Sequence, residues 1–321
     1  MDETQHPNSS VQDEQAFRTL VEPYRRELRA YCYRMAGSID DADDLVQESL
    51  LRAWRGLASY EGRASVRTWL YRITASACID RLRNRTARKR VEDASSAASP
   101  DAPMQPPTPD VWLGPCPAEL YAAASPEARY GARESVSFAF LAALQLLPAK
   151  QRATLIARDV LGWSATECAE ILDTTAASIE SALARARDTI ATRAPTWQPQ
   201  QPDDPKAREL LARYLDAWDR ADAKALVTLL HDDAIMTMPP LPLWLAGPSA
   251  IGQSIEAMVF AGSAHGAFTA VATEANGLPA LGIYKEGAPY ALQVLALEAN
   301  KLRTLTAFLD TRLFATFGLP T

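Results

Sequence analysis

The chain has 321 residues, a hydrophobic fraction of 48% and a formal net charge of −6. This length predicts two or three domains. The acidic balance argues against a protein that coats nucleic acid with its whole surface, but it does not exclude a local basic surface, because salt screens charges beyond about 10 Å at 0.1 M. The N-terminus is polar and acidic, and no apolar run is long enough to span a bilayer. We therefore expect a soluble, cytoplasmic protein with no membrane partner.

The cysteines predict neither a metal site nor a disulfide framework. Cys32, Cys78, Cys116 and Cys168 are widely spaced and form no CxxC pair or Cys/His cluster. The preferred interpretation is that the four cysteines are buried or idle thiols in a reducing cytoplasm. No cofactor is expected.

The first predicted elements are two helices. Apolar residues recur at helical spacing over residues 14–36, and Gly37 ends the pattern. Ser38 or Asp40 is predicted to cap the next helix, DDADDLVQESLLRAWRGL, whose acidic start suits the positive end of the helix dipole. Its apolar residues, Trp54 included, are expected to face a core. The acidic cluster serves either as a cap that adds solubility or as a docking face for another protein.

The stretch from Tyr60 to Arg90 is strongly basic and carries Trp69 and Tyr71 within the basic run. Cations that follow a phosphate backbone, with aromatic faces for unpaired bases, are what single-stranded nucleic acid binding requires. The alternative is a solvated basic helix with Trp69 in the core, and the stretch alone does not decide between the two.

The sequences SIDDADDLVQESLLRAW and YEGRASVRTWLYRITASACIDRLRNR together resemble region 2 of the extracytoplasmic-function (ECF) sigma factors, the promoter-specificity subunits of bacterial RNA polymerase. The resemblance implies that the helix containing DADDLVQE docks on the coiled coil of the polymerase β′ subunit and that the next loop and helix recognise and open the −10 element. The docking positions it implies are Asp43, Asp44, Gln47, Glu48 and Arg52.

The implied −10 positions lie in the loop and the following helix, where a cationic groove and a pocket would offset the cost of unstacking bases. The family often has Asn where this chain has Ser76, which puts a base contact from that position in doubt. The residues at the implied −10 positions are Arg63, Ser65, Arg67, Trp69, Ser76, Arg81 and Arg83. Residues 1–90 are therefore predicted to form region 2.

Residues 91–131 are rich in Pro, Ala and Ser and predict a linker, with Trp112 and Leu113 as its strong anchors. Such linkers in sigma factors thread toward the RNA exit channel. The alternative is a flexible tether that Trp112 pins to a neighbouring domain.

Residues 132–195 predict a second all-α domain. Ser164 and Glu167 fit a capping box, and two helices joined by a short turn at residues 173–175 describe a helix-turn-helix. The segment resembles sigma region 4, which reads the −35 element. Thr175, Ser178, Ser181, Arg185 and Arg187 are the residues expected to face DNA. Few of them are cationic, so we expect weak binding without polymerase.

Residues 196–205 predict a second Pro-rich linker, and residues 206–321 predict helices followed by antiparallel strands. The period-2 segments are FTAVATEA, PALGIYKEG, PYALQVLALEA, KLRTLTAFLD and LFATFG. This part resembles the SnoaL-like, nuclear transport factor 2 (NTF2)-like cone fold. The fold class is thus two all-α sigma domains followed by an α+β cone domain.

The C-terminal domain is expected to regulate in cis or to sense a small ligand. Its acids and histidines have no partner that sequence reasoning can place, so catalysis rests on fold analogy alone. An apolar pocket and core packing both account for Trp218, Met236, Met238, Trp244 and Phe308. The sequence therefore predicts a non-enzymatic sigma factor with promoter DNA and the β′ and β subunits of core polymerase as partners. A DNA-binding module fused to an isomerase- or cyclase-type enzyme is the alternative.

Overall fold

The structure is a computed structural model, and it describes residues 7–83, 87–94, 96–100, 105–108, 111–122, 131, 133–193, 205–263 and 265–321. The chain divides into two compact units. The helical unit comprises residues 1–87 and 143–194, and the sheet unit comprises residues 88–142 and 195–321. None of the helices in the described part of the chain combines the length and the hydropathy that a bilayer span needs.

The first part of the helical unit contains four helices. Gly37 ends the second of them in a left-handed conformation with φ of 75°, and the Ser38 hydroxyl caps the third, as predicted. The single helix expected over residues 14–36 is wrong: a 3-10 turn at Glu22–Tyr24 interrupts it, because Pro23 has no N–H to donate to the preceding turn. The helices are α1 (Pro7–Val21), α2 (Arg25–Ala36), α3 (Ile39–Gly56) and α4 (Val66–Leu82).

The second part of the helical unit contains the predicted pair of helices joined by a short turn. The capping box forms: the Ser164 hydroxyl accepts the Glu167 N–H at 3.2 Å, and the Glu167 carboxylate accepts the Ser164 N–H at 2.8 Å. Ile179 and Leu183 are buried on the last helix, as the apolar stripe indicates. The helices are α5 (Phe138–Gln145), which begins in the sheet unit, α6 (Ala149–Leu155), α7 (Ala165–Ile171) and α8 (Ala176–Arg193).

The sheet unit places helices before a mixed six-stranded sheet with the order β2-β1-β6-β5-β4-β3. Strands β1 and β6 are parallel, and the other neighbours are antiparallel. The elements are α9 (Pro205–Asp219), α10 (Ala223–Leu229), β1 (Leu230–Thr237), β2 (Trp244–Ala246), α11 (Pro248–Ser254), β3 (Phe268–Ala275), β4 (Leu278–Lys285), β5 (Ala288–Glu298), β6 (Lys301–Phe308) and α12 (Leu313–Thr316).

Both faces of this sheet are covered by apolar side chains. One face, which includes Ile283 and Leu295, packs against α9, α10 and α11. The opposite face, which includes Val294 and Ala296, packs against α12 and Phe138. Alternation along the strands accounts for both sets, since neighbouring residues point to opposite faces.

Two details of the sheet unit differ from the predictions. The segment LFATFG is not a strand but contains α12, because Leu313, Phe314 and Phe317 are buried at helical spacing. The helix expected to run through Leu230 ends at Leu229, and the chain continues directly as β1. Short apolar segments fit either period, so neighbouring elements decide between them.

The described residues between 91 and 122, which belong to the predicted linker 91–131, lie on the sheet. The Trp112 indole N–H donates to the Pro240 carbonyl at 3.0 Å. Asn276 pairs with the Cys116 backbone through two hydrogen bonds, of 2.8 and 3.0 Å. Pro117 forms an isolated antiparallel bridge with Ala275 at the end of β3. This segment therefore has fixed contacts of its own within the sheet unit.

Candidate nucleic-acid interface

An open cleft of about 470 Å³ lies between the end of α3, the following loop and α4. Ser65 begins α4 as its N-cap, and its hydroxyl accepts the Thr68 N–H at 3.1 Å. The Tyr60 hydroxyl donates to the Ala64 carbonyl at 2.6 Å and so fixes the loop. Tyr60 and Trp69 stack in the cleft with ring centroids 4.7 Å apart. The arrangement offers an aromatic platform on which an unpaired base can stack.

Cationic and polar side chains line the same cleft. Arg63 is 84% exposed and pairs with Glu61 at 2.8 Å, and Arg72 lies 3.6 Å from Asp173. Ser76 is exposed and also lines the cleft. The cleft thus brings together Arg63, Trp69 and Ser76 from the predicted −10 set, and it adds Tyr60 and Arg72. Tyr60 could have been found in the sequence as an aromatic residue at the start of the basic stretch.

Arg67 lies outside the cleft and has structural partners. Its guanidinium forms hydrogen bonds of 2.8 to 3.0 Å to the Glu27 carboxylate of α2, which raise the pKa of Arg67. It also lies 5.2 Å from the ring centroids of both Tyr71 and Trp163. Since Trp163 precedes α7, Arg67 joins the two parts of the helical unit.

Arg81 and Arg83 also lie outside the cleft. The Arg81 guanidinium is 3.0 Å from the Asp44 carboxylate and 3.7 Å from that of Asp41, so it links α4 to α3. Arg83 lies 3.8 Å from Asp80. Arg81, predicted as a −10 contact, is therefore paired with Asp44, one of the predicted docking positions.

Helix α3 presents a mixed polar and apolar face to solvent. Asp43 forms two hydrogen bonds to Arg29, and Glu48 is paired with Arg52 at 2.6 Å. Asp44 and Gln47 are exposed, and Leu51 and Trp54 continue the stripe one and two turns further on, with exposures of 56% and 37%. The expectation that Trp54 faces a core is wrong, since its only ring contact in the described residues is an edge contact with Phe17. The sequence-based prediction did not include Leu51, although Leu51 lies four residues after Gln47 and therefore on the same face of the helix.

Helix α8 exposes the residues predicted to face the −35 element. Thr175 and Ser178 form its N-terminal cap, with the Ser178 N–H donating to the Thr175 hydroxyl at 3.2 Å. Arg185 donates to the Ser181 hydroxyl at 2.7 Å. Arg187 is held by Asp159 through bonds of 2.6 and 3.0 Å. All five side chains are exposed, but the charge of Arg187 is already compensated.

A buried arginine joins the two parts of the helical unit, and the sequence did not reveal it. Arg152 on α6 is 5% exposed and donates to the Met35 carbonyl at the end of α2. It also donates to the Gln145 side chain at 2.8 Å and to the Leu147 carbonyl at 3.2 Å. Burial lowers the pKa of Arg152 to about 10. These acceptors are carbonyl and amide oxygens, and the Met35 carbonyl lies at the negative end of the α2 helix dipole, which favours a cation.

The five residues considered for an apolar pocket in the sheet unit do not share one cavity wall. Trp218, Met236 and Met238 belong to the core beneath α9–α11. Trp244 lies on β2, whereas Phe308 is on the opposite face of the sheet and stacks on Phe138 at 6.1 Å. These placements favour packing over ligand contact for the three core residues.

Comparisons with known proteins support the division of the helical unit into two parts. The family model for sigma-70 region 2 matches residues 20–88, and that for sigma-70 region 4 matches residues 137–190. The ECF RNA polymerase sigma factor SigG of Mycobacterium tuberculosis is 41% identical over 311 residues, which cover 95% of this chain and 84% of SigG. The crystal structure of M. tuberculosis SigJ has a TM-score of 0.56 and 22% identity and covers 93% of this chain and 98% of that one, which shows a shared fold.

The chain is therefore a sigma-70-type transcription initiation factor. It belongs to the ECF RNA polymerase sigma factors, which confirms the predicted family, the fold class and promoter-specific initiation as its function. Its relatives are initiation factors and not enzymes, so the fused-enzyme alternative is not favoured.

Proposed function

We propose that the helical unit divides initiation among three surfaces and that the sheet unit regulates it in cis. In this scheme α3 docks on the coiled coil of the polymerase β′ subunit, the Tyr60–Trp69 cleft receives unpaired −10 bases, and α8 contacts the −35 element where the β subunit supports it. The cleft is the observation that carries the proposal, because it places two stacked aromatic rings among arginines.

The docking role of α3 is supported by its composition and exposure. Its solvent face combines acidic and amide groups with the exposed apolar side chain of Leu51. Charged groups at the edge of an interface steer association, while a desolvated apolar residue at its centre supplies affinity. The ion pairs from Asp43 to Arg29 and from Asp44 to Arg81 hold the carboxylates in place on this face.

The −10 role of the cleft is supported by the chemistry of duplex opening. Base–aromatic stacking contributes about 1–3 kcal/mol per base, comparable to the few kcal/mol that unstacking one base costs. Arg63 and Arg72 at the cleft can neutralise phosphates beside such a base. Region 4 contributes Glu170 to the same cleft, so we infer that polymerase binding must move region 4 before DNA enters.

Regulation by the sheet unit is supported by its contacts with the segment that joins regions 2 and 4. Trp112 and Cys116 of that segment, and Val136 just after it, are hydrogen-bonded to Pro240 or Asn276. A domain that holds this segment can control how far the two DNA-binding regions separate. The proposal also includes the domain boundaries predicted from the sequence, which fall at residues 90, 131, 195 and 205.

Run-off transcription with core polymerase and a promoter library tests the proposal. The full chain should give promoter-dependent product. Asp44→Lys with Glu48→Lys should abolish both product and capture of core polymerase. The matched control, Glu209→Lys with Asp216→Lys, makes the same charge change on exposed positions of α9 and should leave both unchanged. If the α3 variant still captured polymerase as well as the parent, the docking assignment would be wrong.

A further inference from the structure

A cavity of about 90 Å³ lies on the face of the sheet opposite to α9–α11. Its floor comes from four adjacent strands, β1, β6, β5 and β4, and the last of these contributes Leu278. Val294 and Ala296 on β5 are directly opposite Thr306 and Thr304 on β6, and Thr237 on β1 is opposite Thr306. The floor is therefore a continuous patch of one sheet face.

The roof of this cavity comes from three separate parts of residues 89–139, here called the connecting segment. Residues 89–92 follow the matched region 2, residues 112–113 lie in the middle, and residues 137–139 begin the matched region 4. Two backbone hydrogen bonds join Lys89 to the middle part: the Leu113 N–H donates to the Lys89 carbonyl at 3.0 Å, and the Lys89 N–H donates to the Val111 carbonyl at 2.8 Å. Phe138 is held by its stack on Phe308. One small volume thus touches the beginning, the middle and the end of the connecting segment.

The cavity lining selects an uncharged, mainly apolar occupant. Most of the lining side chains are apolar, and the polar groups of the floor are three threonine hydroxyls, of which those of Thr237 and Thr306 are 3.3 Å apart. Two of the charged residues at the rim are paired, since Arg90 lies 3.5 Å from Glu92 and 2.8 Å from Asp93, and the third, Lys89, is exposed to solvent. The floor itself carries no charged group, so an ionic ligand would be desolvated there beside threonine hydroxyls alone.

The volume limits the size of that occupant. A dry cavity of about 150 Å³ accepts benzene, and one water molecule takes about 30 Å³ of liquid volume. A cavity of about 90 Å³ is therefore too small to enclose a benzene ring, but its mouth is open, so a molecule the size of phenol can place its hydroxyl among the threonines and leave part of its ring in the mouth.

We propose that this cavity binds a compact, uncharged, mainly apolar molecule that carries one hydroxyl or carbonyl group, and that the bound molecule holds the three roof segments on the sheet. The regulatory part of this inference rests on the proposed cis-acting role of the sheet unit. The hydroxyl or carbonyl group bonds to the threonine row, and the apolar body contacts Val91, Leu113 and Phe138.

Binding is tested with phenol as the probe and the full chain as the receptor. Ligand-observed NMR titration should give saturable binding with a dissociation constant on the order of 1 mM, weaker binding of benzene and none of benzoate. Ala296→Leu, which fills the floor, should abolish binding of phenol. Thr304→Val, which keeps the shape, should reduce the preference for phenol over benzene. Thr269→Val on the exposed part of β3 is the control and should change nothing.

The effect on the roof is tested by hydrogen exchange with mass spectrometry. Phenol should slow exchange in residues 89–93 and 111–113 by a factor of about two or more, and it should not slow exchange in α8. The inference is overturned if the folded parent protein shows no saturable binding, or if Ala296→Leu and Thr304→Val both bind phenol as the parent does. Failure of promoter-dependent transcription without phenol would instead count against the proposed function, because that assay does not involve the cavity.

Discussion

At the scale of single residues, Arg67 contributes to the packing of the protein and not only to its surface charge. It is predicted as a −10 contact, but its guanidinium lies between Tyr71 of region 2 and Trp163 of region 4 and is hydrogen-bonded to Glu27. A side chain held in this way can reach DNA only if these contacts break. The distance between regions 2 and 4 is therefore coupled to the availability of Arg67.

The contact between Arg67 and Trp163 should appear as a coupling energy. A double-mutant cycle of Arg67→Met and Trp163→Leu, measured by urea unfolding, should give about 0.5–1 kcal/mol, the range for a partly exposed cation–π contact. The same cycle with Arg63→Met in place of Arg67→Met is the control, because Arg63 is exposed and paired with Glu61. Equal coupling in the two cycles would show that Arg67 does not bridge the regions.

Glu167 should make the capping box of α7 sensitive to pH. Hydrogen bonds from the Ser164 backbone and side chain lower the pKa of the Glu167 carboxyl. A lowered carboxyl pKa stabilises the fold fully above the unfolded value of about 4.3, and this contribution is lost as the pH falls through the folded pKa. NMR titration of Ser164→Ala should show the Glu167 pKa rising toward its ordinary value. Ser181→Ala, on α8, should leave that pKa where it is in the parent.

At the scale of elements, the exposed apolar residue on α3 provides a sharper test of docking than the acids do. Leu51→Asp should weaken capture of core polymerase by about tenfold or more without loss of helicity, since an apolar residue at the centre of an interface dominates its affinity. Leu146→Asp changes another exposed leucine of the helical unit, at 46% exposure against 56%, and should have little effect. If both variants captured polymerase equally, Leu51 would lie outside the interface.

Local sequence signals predicted the helices of the proposed functional surfaces well. Gly37, Ser38 and the Ser164–Glu167 pair act within four residues of their partners, so their structural effect can be read from spacing. The roles of Arg152 and Trp163 could not be read in this way. Arg152 binds Met35, 117 residues away, and only the packing of α2 against α6 creates that acceptor. The cleft was predictable in its residue types but not in which arginines enter it.

At the scale of the whole molecule, the composition of residues 91–131 indicated a linker, and the structure assigns its described parts fixed partners. Pro- and Ala-rich segments lack an apolar period, so a sequence pattern cannot show that they pack. The partners lie mostly more than 100 residues away, as in the bonds from Trp112 to Pro240 and from Cys116 to Asn276. Anchoring of this kind can be recognised only when the positions of the strands in the folded sheet are known.

Asn276 is the residue on which this anchoring can be tested. It is buried in the turn between β3 and β4 with φ of 54°, and its side chain accepts the Cys116 N–H at 2.8 Å and donates to the Val136 carbonyl at 2.6 Å. Asn276→Gly keeps the positive φ and removes both side-chain bonds. It should lower the free energy of unfolding by about 1–3 kcal/mol, because buried backbone groups lose their partners.

The matched control is Asn300→Gly, at an exposed turn between β5 and β6 with φ of 59°. It should cost only a few tenths of a kcal/mol, because glycine adopts this conformation readily. Hydrogen exchange of residues 116–121 and 133–136 should accelerate in the Asn276 variant and not in the Asn300 variant. If the connecting segment transmits regulation, run-off transcription should also change only in the Asn276 variant. Unchanged transcription with accelerated exchange would mean that the sheet unit holds the segment without controlling initiation.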